Sequence, residues 1–291
     1  MVADFTYPYK TNYADLPGNC RVAYVDEGAG VRTLLFIHGL GNYALVWRKN
    51  IDYLKQYYRC IAIDLPGNGL SDKNPHHFGM HFFAGSIRNF ILALNLRNVT
   101  IVGHSMGGQV AMTTAINYPQ SADSIVLCAP AGFEEFTAMD KKLYYHAIQV
   151  LDYISSDEQN LRKAIESSFY KYNAQGESMI LELVALMKTY DPGYYRKMIE
   201  GCIKGMLEEP VNEKLNLVKQ AALVICGSKD ALIPNKLIHH TTTEKLAAEA
   251  VKKMPNATLK MLPDCGHFVQ WEKADEVNNY IVSFLGQLQN M

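Results

Sequence analysis

A mostly parallel β-sheet wrapped by helices on both faces and interrupted by an all-helical insertion is the α/β architecture that this sequence predicts. Three observations predict it. Short apolar runs alternate with helix-length segments through the first third of the 291 residues, the alternation stops from about Gly132 to Glu209, and it resumes afterwards. Strands alternating with helices need crossover connections, which set parallel strands side by side with helices packed on each face. A strand-free stretch between two alternating halves reads as an insertion on one sheet. Residues 1–131 and 210–291 are therefore expected to form the core, and residues 132–209 a helical lid.

The elements follow in order. RTLLFIHG (32–39) is short, apolar and stopped by glycine, the pattern of a buried strand. A helix is expected over Asn42–Tyr58, with Leu45, Ile51 and Leu54 among its apolar positions. CIAIDLPG (60–67) is a second buried strand ending at Pro-Gly. From Met80 to Leu94 the spacing of Phe82, Phe83, Ile87, Phe90, Ile91 and Leu94 is helical. VTIVGHS (99–105) and SIVLCAP (124–130) are strands, with a helix over 107–117 between them. After the insertion come ALVICGSKD (222–230) as a strand, a helix over 236–254, the strand ATLKMLPDCGH (257–267) and a last helix over 274–288.

Composition removes several function classes. The formal net charge is -1 and no basic stripe exists, so a nucleic-acid partner has no electrostatic footprint. The N-terminus mixes charges, proline and tyrosine and does not resemble a secretory signal. No apolar run approaches the roughly 20 residues of a membrane span. A soluble, cytoplasmic protein acting on a small molecule is expected, and oligomeric state is left open. The six cysteines form no C-x-x-C pair and read as buried free thiols, Cys265 as loop packing beside His267.

The chemistry gathers at TIVGHSMGGQV (100–110). Gly103 and Gly107 flank Ser105 in a G-x-S-x-G elbow between a strand and a helix. Such a turn strains the serine backbone, and side chains at the flanking positions would strike the adjoining strand and helix. A serine hydroxyl also needs a base, an orienting acid and donors for the developing oxyanion. DCGHFVQWE supplies His267 after the last strand, and VICGSKDALIP supplies Asp230 directly after a buried run. Serine, aspartate and histidine then follow the chain order associated with this elbow. Glu134, Glu135 and Asp264 are rivals for the acid, but Asp230 ends a strand at the expected place. The backbone N–H groups of Leu40, in FIHGLG, and of Met106 are the expected oxyanion donors.

With HGLG, DLPGNGLSD, GHSMGG, GSKDALIP and CGHFVQWE in this order, the chain resembles the α/β-hydrolase superfamily over about residues 20–130 and 215–288. The resemblance implies a Ser–His–Asp triad opening under a helical cap; no cofactor or metal is expected, since the triad mechanism needs none. It also implies a substrate set by the cap and the nucleophile, not by the fold. A serine nucleophile, with Gly41 where the epoxide hydrolases and haloalkane dehalogenases usually carry proline, is unlike those Asp-nucleophile relatives. A carboxylic-ester hydrolase working on a small or medium apolar substrate through an acyl-enzyme is the leading expectation.

The tail CGHFVQWEKADEVN also resembles carbon–carbon bond hydrolases of ring-fission products. Those enzymes usually carry Asn at the position of His104 and Trp at that of Phe268, and they use a cap arginine to bind a substrate carboxylate. Arg162 and Arg196 are the arginines available in this insertion. A slow-turnover ligand receptor on the same fold is the alternative of a different class, since such receptors keep all three triad residues.

Several features take blander readings. His76, His77 and His81, like His239 and His240, lack carboxylate or cysteine companions at ligand spacing and read as solvated loops. Asp64 and Asp72 read as turn formers in a surface loop. His38 and His104 are expected to orient loops. In the insertion, Tyr144, Tyr145, Tyr153, Phe169, Tyr170, Met179, Met187, Tyr194, Tyr195 and Met198 are expected to be mainly packing, with a few lining the pocket.

Overall fold

In the computed structural model, residues 6–74, 77–155, 158–172 and 174–289 are described. The chain opens with two strands that the apolar pattern does not announce, β1 (Asn12–Leu16) and β2 (Cys20–Glu27), paired antiparallel. There follow β3 (Thr33–Ile37), α1 (Arg48–Leu54), β4 (Arg59–Ile63), α2 (Met80–Ala93), β5 (Val99–His104), α3 (Met106–Asn117) and β6 (Ser124–Cys128). Four helices come next: α4 (Ala138–Ser155), α5 (Glu158–Glu166), α6 (Ala174–Met187) and α7 (Pro192–Glu208). The chain closes with β7 (Ala221–Gly227), α8 (Thr243–Lys253), β8 (Ala257–Leu262), the short α9 (Val269–Glu272) and α10 (Ala274–Gln289).

All eight strands join one sheet in the order β1-β2-β4-β3-β5-β6-β7-β8, parallel from β4 to β8. Alternation along the strands divides the core in two. On β3, Leu35 and Ile37 join the cluster beneath α2 and α3, whereas Leu34 and Phe36 join the one beneath α1 and α10. Each fully buried side chain of this size contributes about 1.5–3 kcal/mol, which explains strands that are apolar on both sides.

Two expected helices are shorter than their apolar spacing suggested. Residues 42–58 resolve into a 3-10 turn, Ala44–Trp47, and then α1. The helix expected from 236 begins only at Thr243, where the Thr242 side chain accepts the Lys245 N–H as an N-cap. Residues 228–241, between β7 and α8, form a loop. All six cysteines are free thiols, five buried and Cys20 half-buried.

Asp64 requires a correction. It is fully buried, not part of a solvated turn. Its carboxylate accepts the Tyr7 hydroxyl at 2.6 Å, the Ala44 N–H at 2.7 Å and the Leu70 N–H at 2.8 Å, joining the loops after β3 and β4 to the N-terminal segment. Gly69, at φ +54, comes so close that a side chain there would collide with this carboxylate. Asp72 accepts the Arg21 N–H at 3.0 Å, bracing the same loop against β2.

Candidate active site

The elbow is built as its glycines require. Ser105 sits between β5 and α3 at φ 53 and ψ -119, a left-handed backbone that a non-glycine residue holds only when its surroundings enforce it. They do: its N–H donates to the Cys128 carbonyl on β6 at 3.0 Å, and its carbonyl accepts the Ala131 N–H at 3.0 Å. A Cβ on Gly103 would run into the Gly107 carbonyl, and one on Gly107 into the carbonyls of Ile37 and His38. Only hydrogen at those positions lets β5, α3 and the end of β3 meet.

Asp230 and His267 come from the ends of the two neighbouring strands β7 and β8, and both are buried. His267 Nδ1 lies 2.8 Å from Asp230 Oδ2. The other oxygen, Oδ1, accepts the N–H groups of Leu232 at 2.8 Å and Ile233 at 3.1 Å. Both carboxylate oxygens are thereby fixed, and the imidazole keeps Nε2 for other work. The His267 N–H donates to the Ser168 carbonyl at 2.8 Å, and Glu272 accepts from both Gly266 and Tyr170 at 2.9 Å. Glu272 thus ties the histidine loop to the residues that follow α5, a role its position five residues beyond His267 did not advertise.

His104 packs against this histidine, ring centroids 4.9 Å apart, and donates through Nε2 to the His267 carbonyl at 3.1 Å. Burial holds the His104 imidazole well below the usual histidine range, so it is a neutral donor. His38 is also fully buried and is pushed down to about 4 by burial. Its Nε2 accepts the Leu65 N–H at 3.1 Å and its Nδ1 donates to the Gly39 carbonyl at 2.8 Å, which sets the course of the loop carrying Leu40.

Ser105 and His267 line one cavity of about 1140 Å³, which side chains of α4, α5, α6 and α7 also line. Leu40 lines it too; Met106 lies just behind, fully buried at the first turn of α3. Neither the Leu40 nor the Met106 N–H donates to any described residue. Ile165, Leu183, Val184, Ile199 and Met206 supply much of the apolar lining. Of the insertion residues singled out above, Tyr144, Met187 and Tyr195 reach the cavity. Phe169, Met179 and Met198 are buried packing, and the Tyr194 hydroxyl donates to the Gly67 carbonyl at 3.0 Å. Tyr145 donates to Glu208 at 2.7 Å, Tyr170 is exposed, and the Tyr153 side chain lies outside what is described.

The remaining histidines divide. His76 lies outside the described residues, His77, His81 and His240 are exposed, and His239 is half-buried against the Phe136 ring at 5.2 Å instead of in solvent. Of the two arginines in α5 and α7, Arg162 is held by Glu177 at 2.6 Å, whereas Arg196 lines the cavity.

A family model described as alpha/beta hydrolase fold matches residues 32–274. The chain belongs to that family. It is a hydrolase of the α/β fold, and two curated proteins are similar to it over most of its length. The dihydrolipoyllysine-residue acetyltransferase component of an acetoin cleaving system from Cupriavidus necator is 30% identical over 279 residues, covering 94% of this chain and 68% of that protein. A 2-hydroxy-6-oxononadienedioate/2-hydroxy-6-oxononatrienedioate hydrolase of Paraburkholderia phymatum is 29% identical over 281 residues, covering 92% of this chain and 91% of the relative. Among solved structures, an esterase of Exiguobacterium antarcticum shares the fold with a TM-score of 0.81 at 19% identity, covering 95% of this chain and 100% of that one. Among the described residues no helix is long and apolar enough to cross a membrane.

Proposed function

We propose that this α/β hydrolase cleaves carboxylic esters of small or medium apolar acids through an acyl-enzyme on Ser105. One observation carries the reading. The Asp230–His267 pair, closed at 2.8 Å, stands at the wall of the same apolar cavity into which a strained elbow presents Ser105. With Nδ1–H committed to Asp230, His267 Nε2 is the free base. It takes the Ser105 proton as Oγ attacks the ester carbonyl carbon. The carbonyl π pair moves onto oxygen, where the Leu40 and Met106 N–H groups receive it at the positive end of α3. Collapse expels the alkoxide with the proton from His267, and water repeats the sequence to release the acid.

The helices over residues 132–209 act in this reading as the lid that sets substrate size. The cavity slightly exceeds the span of about 300–1,000 Å³ usual for small-molecule sites, which suits a medium apolar body.

A second reading, hydrolysis of a carbon–carbon bond in ring-fission products, draws on Arg196 at the cavity and on the Paraburkholderia relative. Against it stand His104 and Phe268, which replace the usual Asn and Trp and pack on each other with centroids 5.1 Å apart. The deciding experiment is a panel of p-nitrophenyl esters graded by acyl length, run beside one dienol diketone. Repeated ester turnover, lost in Ser105→Ala, is expected. Dienol cleavage with little ester turnover would overturn the ester reading, and a single burst followed by silence would make the chain a receptor.

A further inference from the structure

The cavity has a polar end that the ester chemistry does not use. Glu134 lies in the connection from β6 to α4, is only 9% exposed, and lines the cavity. Its Oε1 accepts the Asn235 N–H at 2.7 Å. Its Oε2 has no hydrogen-bond partner among the described residues. Holding the 228–241 loop requires only the first of these oxygens. That oxygen is not sealed away: Glu134 lines the cavity, so the acceptor left over there is open to whatever occupies that end.

From this geometry we propose that the Glu134 end of the cavity is a subsite for a hydrogen-bond-donating substrate group, a hydroxyl or a primary ammonium, received by Glu134 Oε2. The groups around it fit that assignment. His239 Nε2 stands 3.5 Å from Oε1 and is itself buried without a partner. Tyr144, from α4, also lines the cavity, and burial and the Glu134 charge raise its phenol. Asp230 and His267 act on Glu134 from the triad side with opposing charges. Burial pushes the Glu134 carboxyl up to about 7, so an arriving ammonium would favour the ionised form that pairs with it. A substrate carboxylate at the same place would meet repulsion, which makes Glu134 a selector as well as an acceptor.

This inference deepens the ester reading and rests on it only for the bond that is broken. The test therefore uses Ser105→Ala protein, which needs no turnover, and calorimetry with methyl octanoate, methyl 8-hydroxyoctanoate and methyl 8-aminooctanoate. The hydroxy and amino probes are expected to bind about tenfold tighter than methyl octanoate, the worth of a hydrogen bond to a carboxylate. Adding Glu134→Leu should bring the three dissociation constants together. Adding Glu134→Gln, which keeps a carbonyl acceptor without charge, should preserve the hydroxyl preference and abolish the ammonium one. Equal affinities in the parent, an unchanged ranking in Glu134→Leu, or no measurable binding of any probe would overturn the subsite. Failure of the ester reading would appear elsewhere, as absent turnover by the wild-type protein with the probe ranking intact.

Discussion

Asp230 and Glu134 are both buried carboxylates, carried by loops that follow the adjacent strands β7 and β6, and each stands beside an imidazole. The Asp230 pair is closed: His267 at 2.8 Å on one oxygen, two backbone N–H groups on the other. The Glu134 pair is open: His239 at 3.5 Å, one backbone N–H, and an oxygen with nothing attached among the described residues. Burial is common to both, so it does not set their roles. The number of donors that the chain aims at each carboxylate does. A saturated carboxylate can only orient its neighbour, whereas an unsaturated one still has an acceptor to offer a ligand.

Breaking the closed side should have the largest effect. Ser105→Ala removes the proposed nucleophile, and ester turnover should fall on the order of a millionfold, as in triad knockouts of serine hydrolases. Steady-state assays showing turnover within tenfold of wild type would remove Ser105 from the mechanism. Asp230→Asn leaves the packing in place but offers His267 an amide, which favours the wrong tautomer. A loss of about 10⁴ in kcat with little change in KM is expected. A variant in which kcat barely moves would show that the closure of this pair is structural and not catalytic.

Glu272→Ala sharpens the same side by loosening it. The carboxylate caps Gly266 and Tyr170, and its removal leaves two N–H groups beside His267 without acceptors. Stability should drop by about 1–3 kcal/mol, read by urea denaturation. A fall of about tenfold in kcat should accompany it, as misplacement of a positioned catalytic group costs rate. Retention of full kcat despite the lost stability would show that the histidine loop keeps its place without this tie.

Much of this contrast was readable in the chain, and what was not has a physical reason. Ser105 and Asp230 stand out in the sequence because each follows a buried apolar run at a turn, and His267 because it follows the last strand, β8, whose side chains are only partly buried. Their catalytic roles belong to the proposed function. Asp64 ends such a run too, in CIAID, but the following Pro-Gly made a surface turn look sufficient; its three donors come from residues 7, 44 and 70. The strand β1 escapes because it lies at the antiparallel edge of the sheet with polar positions breaking its pattern, and β2 because its apolar run, Val22–Val25, is only four residues long between polar ends. Glu134 was visible only as a rival to Asp230. Its distinguishing property, an oxygen left over after Asn235 is served, depends on a contact spanning 101 residues. Spacing along a chain does not encode such a surplus.

The open side can be read without any substrate through the pH dependence of stability. Burial raises the Glu134 carboxyl to about 7 in the folded protein from an ordinary value of 4.5. Between those two pH values the folded state holds a proton that the unfolded state has released, so stability falls as pH rises through that window. The contribution is fully present below about 4.5 and lost above about 7, an effect on the order of 1–3 kcal/mol. Asp64 and Glu272 are also raised by burial and slope the same way, so only a difference isolates Glu134. Urea denaturation of wild type and Glu134→Gln at pH 5, 6, 7 and 8 supplies it. The wild-type stability minus that of the variant should decline from pH 5 to about 7 and then level off, since glutamine has no proton to lose. Parallel curves would mean that Glu134 is ionised throughout and already satisfied, and that the two carboxylates differ less than their hydrogen bonds imply.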